Sequence, residues 1–542
     1  MSQGIVYLVG AGPGDPGLLT LRGRELLAAA DCVIYDRLVD PRLLDHAPPT
    51  AERVFVGKQG GANHRCTQQS AIHEILLDRA RRGLQVVRLK GGDPLLFARG
   101  AEEAAVLSRA GIRYEIVPGV TAALGAAATA SIPLTHRDHA SAVAFITGHE
   151  DPAKSDGLDW SALARFPGTL VVYMGLSKIK EIATKLLELG KSATTPLAVI
   201  EWGATNRQRV VRTTLADALS GLEIELASPA LIIIGEVAGK HDLERWFEMR
   251  PLFGQRILIT RPPGQAEELQ HRLELLGAQV LQQPVFTIEK PSDLATVDRF
   301  IQRLDEFDWV VFSSRNGVDS FLSRIFELGL DLRSLGRVKL AAIGPGTEAA
   351  LKSYHLRADV VPSSYRAEDL ASALIPHTNR KRVLLVRANR GRDVLPNELR
   401  NHGAHVESVV AYAQIDFSAP RREIIEELKQ GRIDWVFFTS SNLARGFLDW
   451  ITEDLKELFR SKVRLATISP ITSLAVREKG YSVSAEATEY TIPGIVDAVV
   501  RAVESKFEPG FDSLPENKAG GSNHDNIRGD AKSAEGNANQ QV

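Results

Sequence analysis

The chain has 542 residues, with 65 Lys and Arg against 67 Asp and Glu and a formal net charge of −2. This length predicts three to four domains, and the charge balance disfavours a general binder of nucleic acid or of anionic membranes. Two cysteines cannot build a disulfide framework, and no run approaches 18 apolar residues, so we expect no membrane span.

Short β-rich apolar runs alternate with helical stretches along the first half of the chain. Segments such as Ala71–Arg82 and Glu102–Ala110 have helical spacing, and this alternation predicts α/β layers with largely buried strands. The predicted strands are Ile5–Val9, Cys32–Tyr35, Val54–Val56, Val86–Leu89, Val143–Thr147, Leu170–Tyr173, Leu197–Ile200 and Leu231–Ile234. The first residues lack the basic region and cleavage site of a signal peptide, which favours a cytoplasmic protein.

A glycine-rich loop, Gly10–Pro16, follows the first predicted strand. It lacks the third glycine of the dinucleotide fingerprint, because that position is Asp15, and Pro13 and Pro16 prevent a helix from starting at once with free N–H groups. A nicotinamide-dependent oxidoreductase is therefore disfavoured. Ligand contact and a plain tight turn remain about equally consistent with the loop.

Two further strands end in loops that suit a ligand. Lys90–Pro94 contains two glycines and Asp93, which could accept hydrogen bonds from a ribose or an amino group or could cap a helix before Pro94. Pro118–Ala123 enters a helix of small residues, which suits close packing as well as ligand approach.

A carboxylate and an amine follow two neighbouring strands. Asp36 and Lys58 would lie on the same rim of a parallel sheet, where they could handle protons, although for either residue alone an exposed loop charge is the commoner case. His64, Cys66 and His73 lack regular ligand spacing and a fourth group, so we expect no metal.

The second half contains an internal repeat. Asp308–Ser314 recurs as Asp434–Ser440, and Arg256–Arg261 recurs as Arg382–Arg387, each pair in the same register. The period, 126 residues from position 309 to 435, is too long for a solenoid unit and predicts a duplicated α/β lobe with a cleft between the copies. A boundary is expected near 247–254, and the polar stretch 508–542 is predicted to be a disordered tail.

An ordered set of motifs in the first half resembles uroporphyrinogen-III C-methyltransferases of the tetrapyrrole methylase superfamily. The match covers about residues 4–240 and rests on Val6-Tyr-Leu-Val-Gly-Ala-Gly-Pro-Gly-Asp-Pro16, Tyr35-Asp-Arg37, Val87-Arg-Leu-Lys-Gly-Gly-Asp-Pro94, Val117-Pro-Gly-Val-Thr121 and Tyr173-Met174-Gly175. The resemblance implies a domain of two α/β subdomains over residues 1–246, and a homodimer formed through it.

That resemblance also implies a reaction. S-adenosylmethionine would methylate C2 and C7 of uroporphyrinogen III to give precorrin-2, with Asp36 and Lys58 as an acid/base pair and no metal. The cofactor site would contain Pro13, Gly91, Gly92, Asp93, Leu96, Thr121, Ala122, Met174 and Gly203. The substrate carries eight carboxylates, for which Arg37, His136 and Arg137 are candidate partners or, equally, solvated loop charges.

The repeat region resembles uroporphyrinogen-III synthases over about residues 254–506. The match rests on Thr260-Arg261-Pro262, Phe312-Ser-Ser-Arg-Asn-Gly317, Val410-Ala-Tyr412 and Phe438-Thr-Ser-Ser441. It implies two lobes exchanged by chain crossover, about 254–287 plus 413–506 and 288–412, that convert hydroxymethylbilane to uroporphyrinogen III. Tyr412 would assist loss of the hydroxyl or be a packed aromatic, and cleft loops would bind carboxylates through Ser313, Ser314, Thr439, Ser440 and Thr472.

The preferred interpretation is thus a bifunctional cytoplasmic enzyme of consecutive tetrapyrrole steps, α/β throughout. The alternative is a methylase for another tetrapyrrole joined to a bilobed module that binds a ligand without catalysis.

Overall fold

Strands in the described part of the chain form four sheets of five, each flanked by helices. The computed structural model describes residues 4–57, 68–149, 157–220, 225–240, 243–391 and 393–505. The predicted α/β class is confirmed. Lys58, His64, Cys66 and the predicted tail 508–542 lie outside the described residues.

The first sheet is entirely parallel, with strand order β3-β2-β4-β1-β5. Its central apolar side chains, such as Val33 and Val87, are fully buried because helices cover both faces. The elements are β1 (Ile5–Gly10), α1 (Leu21–Ala28), β2 (Cys32–Tyr35), β3 (Glu52–Phe55), α2 (Gln69–Arg81), β4 (Gln85–Lys90), α3 (Gly100–Arg109), β5 (Arg113–Val117) and α4 (Ala122–Thr129).

The second sheet is mixed, with order β6-β7-β10-β8-β9, and its β10 runs antiparallel to both neighbours. Alanines of α4 pack against this sheet in one buried cluster, so the predicted small-residue helix joins the two subdomains. The elements are β6 (Val143–Thr147), α5 (Trp160–Arg165), β7 (Thr169–Tyr173), α6 (Ile179–Glu188), β8 (Pro196–Glu201), β9 (Arg209–Thr214), α7 (Leu215–Ser220) and β10 (Ala230–Ile234).

The remaining two sheets belong to the repeat region. In chain order its elements are β11 (Arg256–Ile259), α8 (Glu267–Leu275), β12 (Gln279–Gln282), β13 (Phe286–Glu289), α9 (Leu294–Gln302), β14 (Trp309–Phe312), α10 (Arg315–Glu327), β15 (Lys339–Ala342), α11 (Pro345–Ser353), α12 (Ala367–Thr378), β16 (Arg382–Ala388), α13 (Val394–Asn401), β17 (His405–Asp416), α14 (Arg422–Lys429), β18 (Trp435–Phe438), α15 (Ser441–Leu448), α16 (Glu453–Lys462), β19 (Arg464–Thr467), α17 (Pro470–Glu478), β20 (Ala485–Glu486) and α18 (Ile492–Glu504).

The two sequence repeats exchange strands. One sheet has the order β12-β11-β18-β19-β20 and the other β13-β17-β16-β14-β15. Strands β11 and β12 of the first repeat therefore share a sheet with β18, β19 and β20 of the second, and β16 and β17 of the second repeat share a sheet with β13, β14 and β15 of the first. Each lobe thus contains both halves of the duplication. The predicted lobe limits at 287 and 412 fall inside β13 and β17. These two strands pair antiparallel, from Phe286↔Asp416 to Glu289↔Ala413, so both belong whole to the same sheet.

Candidate active sites

Loops of the first and second sheets enclose a cavity of about 600 Å³. The first sheet contributes loops that follow β1, β2, β4 and β5 at its carboxyl edge, where parallel α/β sheets bind ligands. All nine residues that the resemblance assigns to the cofactor line this cavity: Pro13, Gly91, Gly92, Asp93, Leu96, Thr121, Ala122, Met174 and Gly203. Their roles stay predictions, but the fold brings them together from distant parts of the chain.

Two glycines of this set could not be replaced without strain: Gly92 because of its backbone conformation, and Gly203 because a side chain would clash. Gly92 has φ +70° and exchanges backbone hydrogen bonds with Gly12, at 2.7 Å from Gly92 N to Gly12 O. A Cβ on Gly203 would lie 2.3 Å from the Cβ of Ala126 on α4. Backbone therefore forms the cavity wall at both places.

Asp93 ties two cavity loops together. Its carboxylate accepts from the backbone N–H of Leu95 at 2.8 Å and of Gly119 at 3.0 Å. The helix that follows, α3, begins only at Gly100, so the alternative in which Asp93 caps a helix at Pro94 is wrong.

Tyr173 holds the start of α4 in place and was quoted in a motif without a role. Its hydroxyl lies 2.7 Å from Thr121 Oγ1 and accepts from the N–H of Ala123 at 3.0 Å. Burial raises the pKa of this tyrosine. Thr121 thus uses its hydroxyl on Tyr173 instead of on its own helix.

Three cavity residues other than glycine have left-handed backbone. Phe97, Met174 and Trp202 have φ of 54°, 53° and 48°. Such backbone is costly and concentrates at ligand-binding and catalytic sites, where the surrounding structure holds it in place. This feature could not be seen in the sequence.

One end of the cavity is charged. Asp36, predicted on the rim of the sheet, and Arg37, a candidate partner of the substrate, line it, and so do Arg88 and Lys90 of β4, which were missed. The sequence held a signal for this pair: Arg88 lies inside the apolar predicted strand Val86–Leu89, and Lys90 follows it directly.

The other charged candidates of the first half do not join this site in the described structure. Lys58 is not described. The ring of His136 lies 4.8 Å from that of His139 in a tilted arrangement, and Arg137 is exposed. Neither His136 nor Arg137 lines the cavity. Their proposed contact with the substrate stays a prediction.

In the repeat region, Tyr412 of β17 lies at the junction of the lobes. Its side chain is buried, and its hydroxyl is 2.9 Å from Ser314 Oγ at the start of α10. Burial raises the pKa of Tyr412, while hydrogen bonds with Ser314 and Asn316 oppose that rise. Gln265 of the other lobe donates to Asn316 at 2.7 Å, which places Tyr412 beside a direct lobe-to-lobe contact.

Arg261 follows β11 and was quoted in a motif without a role. Its Nε is buried and has no hydrogen-bond partner among the described residues. Burial and the neighbouring Arg315 lower the pKa of its guanidinium. A buried guanidinium without a hydrogen-bond partner in the described structure, within electrostatic reach of a second one, suits a ligand that carries carboxylates.

Several of the predicted cleft hydroxyls already have hydrogen-bond partners within the protein. Ser314 and Ser440 occupy equivalent positions in the repeats and cap α10 and α15 through Gly317 N and Leu443 N, whereas Ser313 donates to the carbonyl of Val386. Thr472 is only 2% exposed and bonds Ser469, and Thr439 is half-buried. Contact of these residues with substrate stays a prediction.

Two searches covered only the residues described by the structure. No helix there is long and apolar enough to cross a membrane. No group of three or more His, Cys, Asp or Glu side chains in the same ranges could hold a metal ion.

Comparisons with known proteins match both halves. The profile of the Tetrapyrrole (Corrin/Porphyrin) Methylases matches residues 5–219, and that of Uroporphyrinogen-III synthase HemD matches 267–497. Porphyrin biosynthesis protein HemD of Ruminiclostridium josui is 34% identical over 450 residues, which is 83% of this chain and 89% of that protein. Uroporphyrinogen-III C-methyltransferase of Bacillus subtilis is 39% identical over 354 residues, 65% of this chain and 72% of the relative.

A solved structure is also similar to the first half. Uroporphyrin-III C-methyl transferase from Thermus thermophilus, complexed with S-adenyl homocysteine, is 44% identical with a TM-score of 0.38 and covers 44% of this chain and 94% of that one. The family assignment rests on the sequence relatives, one of which extends over both halves. The chain is therefore a fusion whose first half belongs to the tetrapyrrole methylase family and whose second half belongs to the uroporphyrinogen-III synthase family.

Proposed function

We propose that the second half cyclises hydroxymethylbilane to uroporphyrinogen III and that the first half methylates this product at C2 and C7, giving precorrin-2. The observation that carries the proposal is the single cavity that gathers nine cofactor-site candidates next to Asp36 and Arg37. The Ruminiclostridium josui relative, which matches across both halves and is named for porphyrin biosynthesis, supports the pairing of the two steps.

The cavity fits S-adenosylmethionine. Its volume of about 600 Å³ lies within the usual range for small-molecule sites, and its walls combine glycine backbone with apolar side chains such as Leu96 and Met174. When bound, this cofactor supplies an electrophilic methyl group on a sulfonium. Gly91, Gly92 and Thr121 would hold it, and Asp93 would keep their loops in place through its bond to Gly119 N.

Methyl transfer depends mainly on positioning, because an in-line displacement needs the reacting atoms close and aligned. The exposed Arg37 at the cavity wall is placed to pair with a substrate carboxylate. Asp36, held near Arg88 at 3.6 Å between Oδ2 and Nη2, is placed to orient a pyrrole N–H of the macrocycle.

The synthase reaction requires loss of a hydroxyl as water. An ordinary tyrosine is already protonated at neutral pH, and burial raises the pKa of Tyr412 further, so its hydroxyl can donate a hydrogen bond or a proton to the departing oxygen. Arg261 and Arg315 would hold carboxylates of the linear tetrapyrrole on either side of the cleft.

A one-pot assay tests the proposal. The full chain is incubated with hydroxymethylbilane and S-adenosylmethionine, and we expect the dimethylated product precorrin-2. Only the type I isomer would contradict the synthase role, and uroporphyrinogen III without methylation would contradict the methylase role. The cytoplasmic location and a homodimer through the first half also stay proposals.

Replacing Arg261 by methionine is expected to raise the KM for hydroxymethylbilane about 10-fold, because a charged hydrogen bond to a carboxylate is lost. Thermal stability should be unchanged or higher, since the guanidinium Nε is buried without a partner among the described residues. The control is Arg333→Met, whose side chain is 92% exposed and paired with Asp331. Equal KM values for the two variants would remove Arg261 from substrate binding.

A further inference from the structure

Three charged side chains are buried beneath the charged end of the methylase cavity. Arg88 and Lys90 of β4 and Glu103 of α3 are 3%, 4% and 0% exposed. Alternation along β4 directs positions 88 and 90 to the same face, and α3 covers that face with Glu103. We call these three residues the buried charge network.

In the described structure, all hydrogen bonds donated to the carboxylate of Glu103 go to one oxygen, Oε1. Lys90 Nζ donates to Glu103 Oε1 at 2.8 Å, Arg88 Nε at 3.4 Å and Gln69 Nε2 at 3.3 Å. Glu103 Oε2 is buried and has no partner among the described residues. The carboxylate is thus placed to hold the two cations together, at the cost of leaving one oxygen unsatisfied.

Arg88 and Lys90 differ in how much of their donor capacity is used. The guanidinium of Arg88 donates to the carbonyls of Ile34 and Leu89 as well as to Glu103, and it lies 3.6 Å from Asp36. The ammonium of Lys90 has three donors, of which the hydrogen bond to Glu103 uses one. Lys90 therefore has capacity left for a group in the cavity, whose wall it forms.

Stability alone does not account for this arrangement. Taking charges out of water costs several kcal/mol per ion, and well-packed apolar residues are often at least as stable as a buried ion pair. Buried charges that line a cavity are instead typical of catalytic sites. Asp36, the predicted proton-handling residue on β2, adjoins the network through Arg88.

We propose that Lys90 accepts the proton that leaves the macrocycle in each methyl transfer, and that Glu103 and Arg88 are positioning residues that hold its amine at the cavity wall. This inference rests on the proposed function of the first half. In the step, a ring carbon forms a bond to the methyl carbon, the carbon–sulfur bond breaks, and its electron pair stays on sulfur. The cationic macrocycle then loses a carbon-bound proton to the lone pair of the Lys90 amine, which becomes an ammonium.

The charges around Lys90 are compatible with that role. Burial lowers the pKa of Lys90, Arg88 lowers it further, and Glu103 and Asp36 oppose the change. The charged groups that act on the amine come from its own strand, from the end of β2 and from α3: Arg88, Asp36, Glu102 and Glu103. His73 of α2 is one residue further away, 3.2 Å from Gln69 Nε2. Because the acceptor must be neutral, methyl transfer is expected to rise with pH through the pKa of this amine.

The first test is Lys90→Met in the full chain. The kcat for methylation of uroporphyrinogen III is expected to fall at least about 100-fold, as for loss of a general base. The KM for S-adenosylmethionine and its affinity by calorimetry should stay within about 3-fold, and synthase turnover of the same polypeptide should be unchanged. The matched control, Lys185→Met, removes an exposed lysine that pairs with Glu181 at the same 2.8 Å distance.

The second test is Glu103→Gln, which keeps the shape of the side chain and removes its charge. Because Glu103 raises the pKa of Lys90, the rising limb of the pH–kcat profile should move to lower pH; a purely structural role would not move it. This limb should be absent in Lys90→Met. If thermal melts show that Lys90→Met does not fold, the pH position of the rising limb in Glu103→Gln tests the inference alone.

Two results would overturn the inference while leaving the proposed function intact: a Lys90→Met variant with more than half of normal turnover, or a limb that stays at the same pH in Glu103→Gln. No methylation by the unaltered chain would instead contradict the proposed function, and this inference with it.

Discussion

Gly92→Val is expected to weaken the binding of S-adenosylmethionine about 100-fold, which corresponds to about 2.7 kcal/mol. Gly92 has φ +70° and exchanges hydrogen bonds with Gly12 in the cavity wall. An added Cβ would lie 3.7 Å from Ala122 N and 3.8 Å from Thr121 Cα, in ordinary contact. The loss should therefore come from a branched side chain that occupies cavity space and shifts the Gly12 loop, not from a clash with the protein.

A second glycine separates these effects from backbone strain. Gly111 has φ +69°, and an added Cβ there would meet no atom within 4 Å. Gly92→Val and Gly111→Val should each lower the free energy of unfolding by about 1–2 kcal/mol, because both positions force valine into left-handed backbone. Calorimetry with S-adenosylmethionine and thermal melts compare the two variants. Normal affinity in Gly92→Val, or equal losses in both, would contradict the cofactor assignment of this loop.

Removal of the Tyr412 hydroxyl is expected to lower the kcat of the synthase reaction about 100-fold, the low end of the range for general acid–base catalysis. Tyr412→Phe keeps the buried ring in place, and Ser314 retains its hydrogen bond with Gly317 N at 3.0 Å. Methylation of added uroporphyrinogen III should be unchanged. The measurement is single-turnover formation of uroporphyrinogen III, with the type I isomer quantified separately.

Tyr481→Phe is the matched control. Tyr481 is also a buried tyrosine of the synthase half whose pKa is raised by burial, but its hydroxyl has no hydrogen-bond partner among the described residues. Its removal should leave turnover unchanged and should not destabilise the protein. If both variants retain full activity, Tyr412 is a packing residue, as its alternative interpretation holds.

In the first half, local pattern was enough to predict eight of the ten described strands and the loops that follow them, with β5 and β9 missed. Cys32–Tyr35 and Val143–Thr147 form strands with the predicted bounds, since continuous apolar β-branched runs favour buried strands. Strand β9 (Arg209–Thr214) was not predicted, because its mixed composition lacks such a run. The rim position of Asp36 followed from strand direction alone.

The sequence by itself determined the α/β class, the duplication, and the loops that line the methylase cavity, because these depend on periodicity and on the common direction of parallel strands. Only the tertiary structure decided which charges are buried together. Glu103 meets Lys90 because α3 packs over β4, and the charge of Arg315 in one lobe lowers the pKa of Arg261 in the other. The cost of burying a charge depends on neighbours distant in sequence, so no local pattern carries that information.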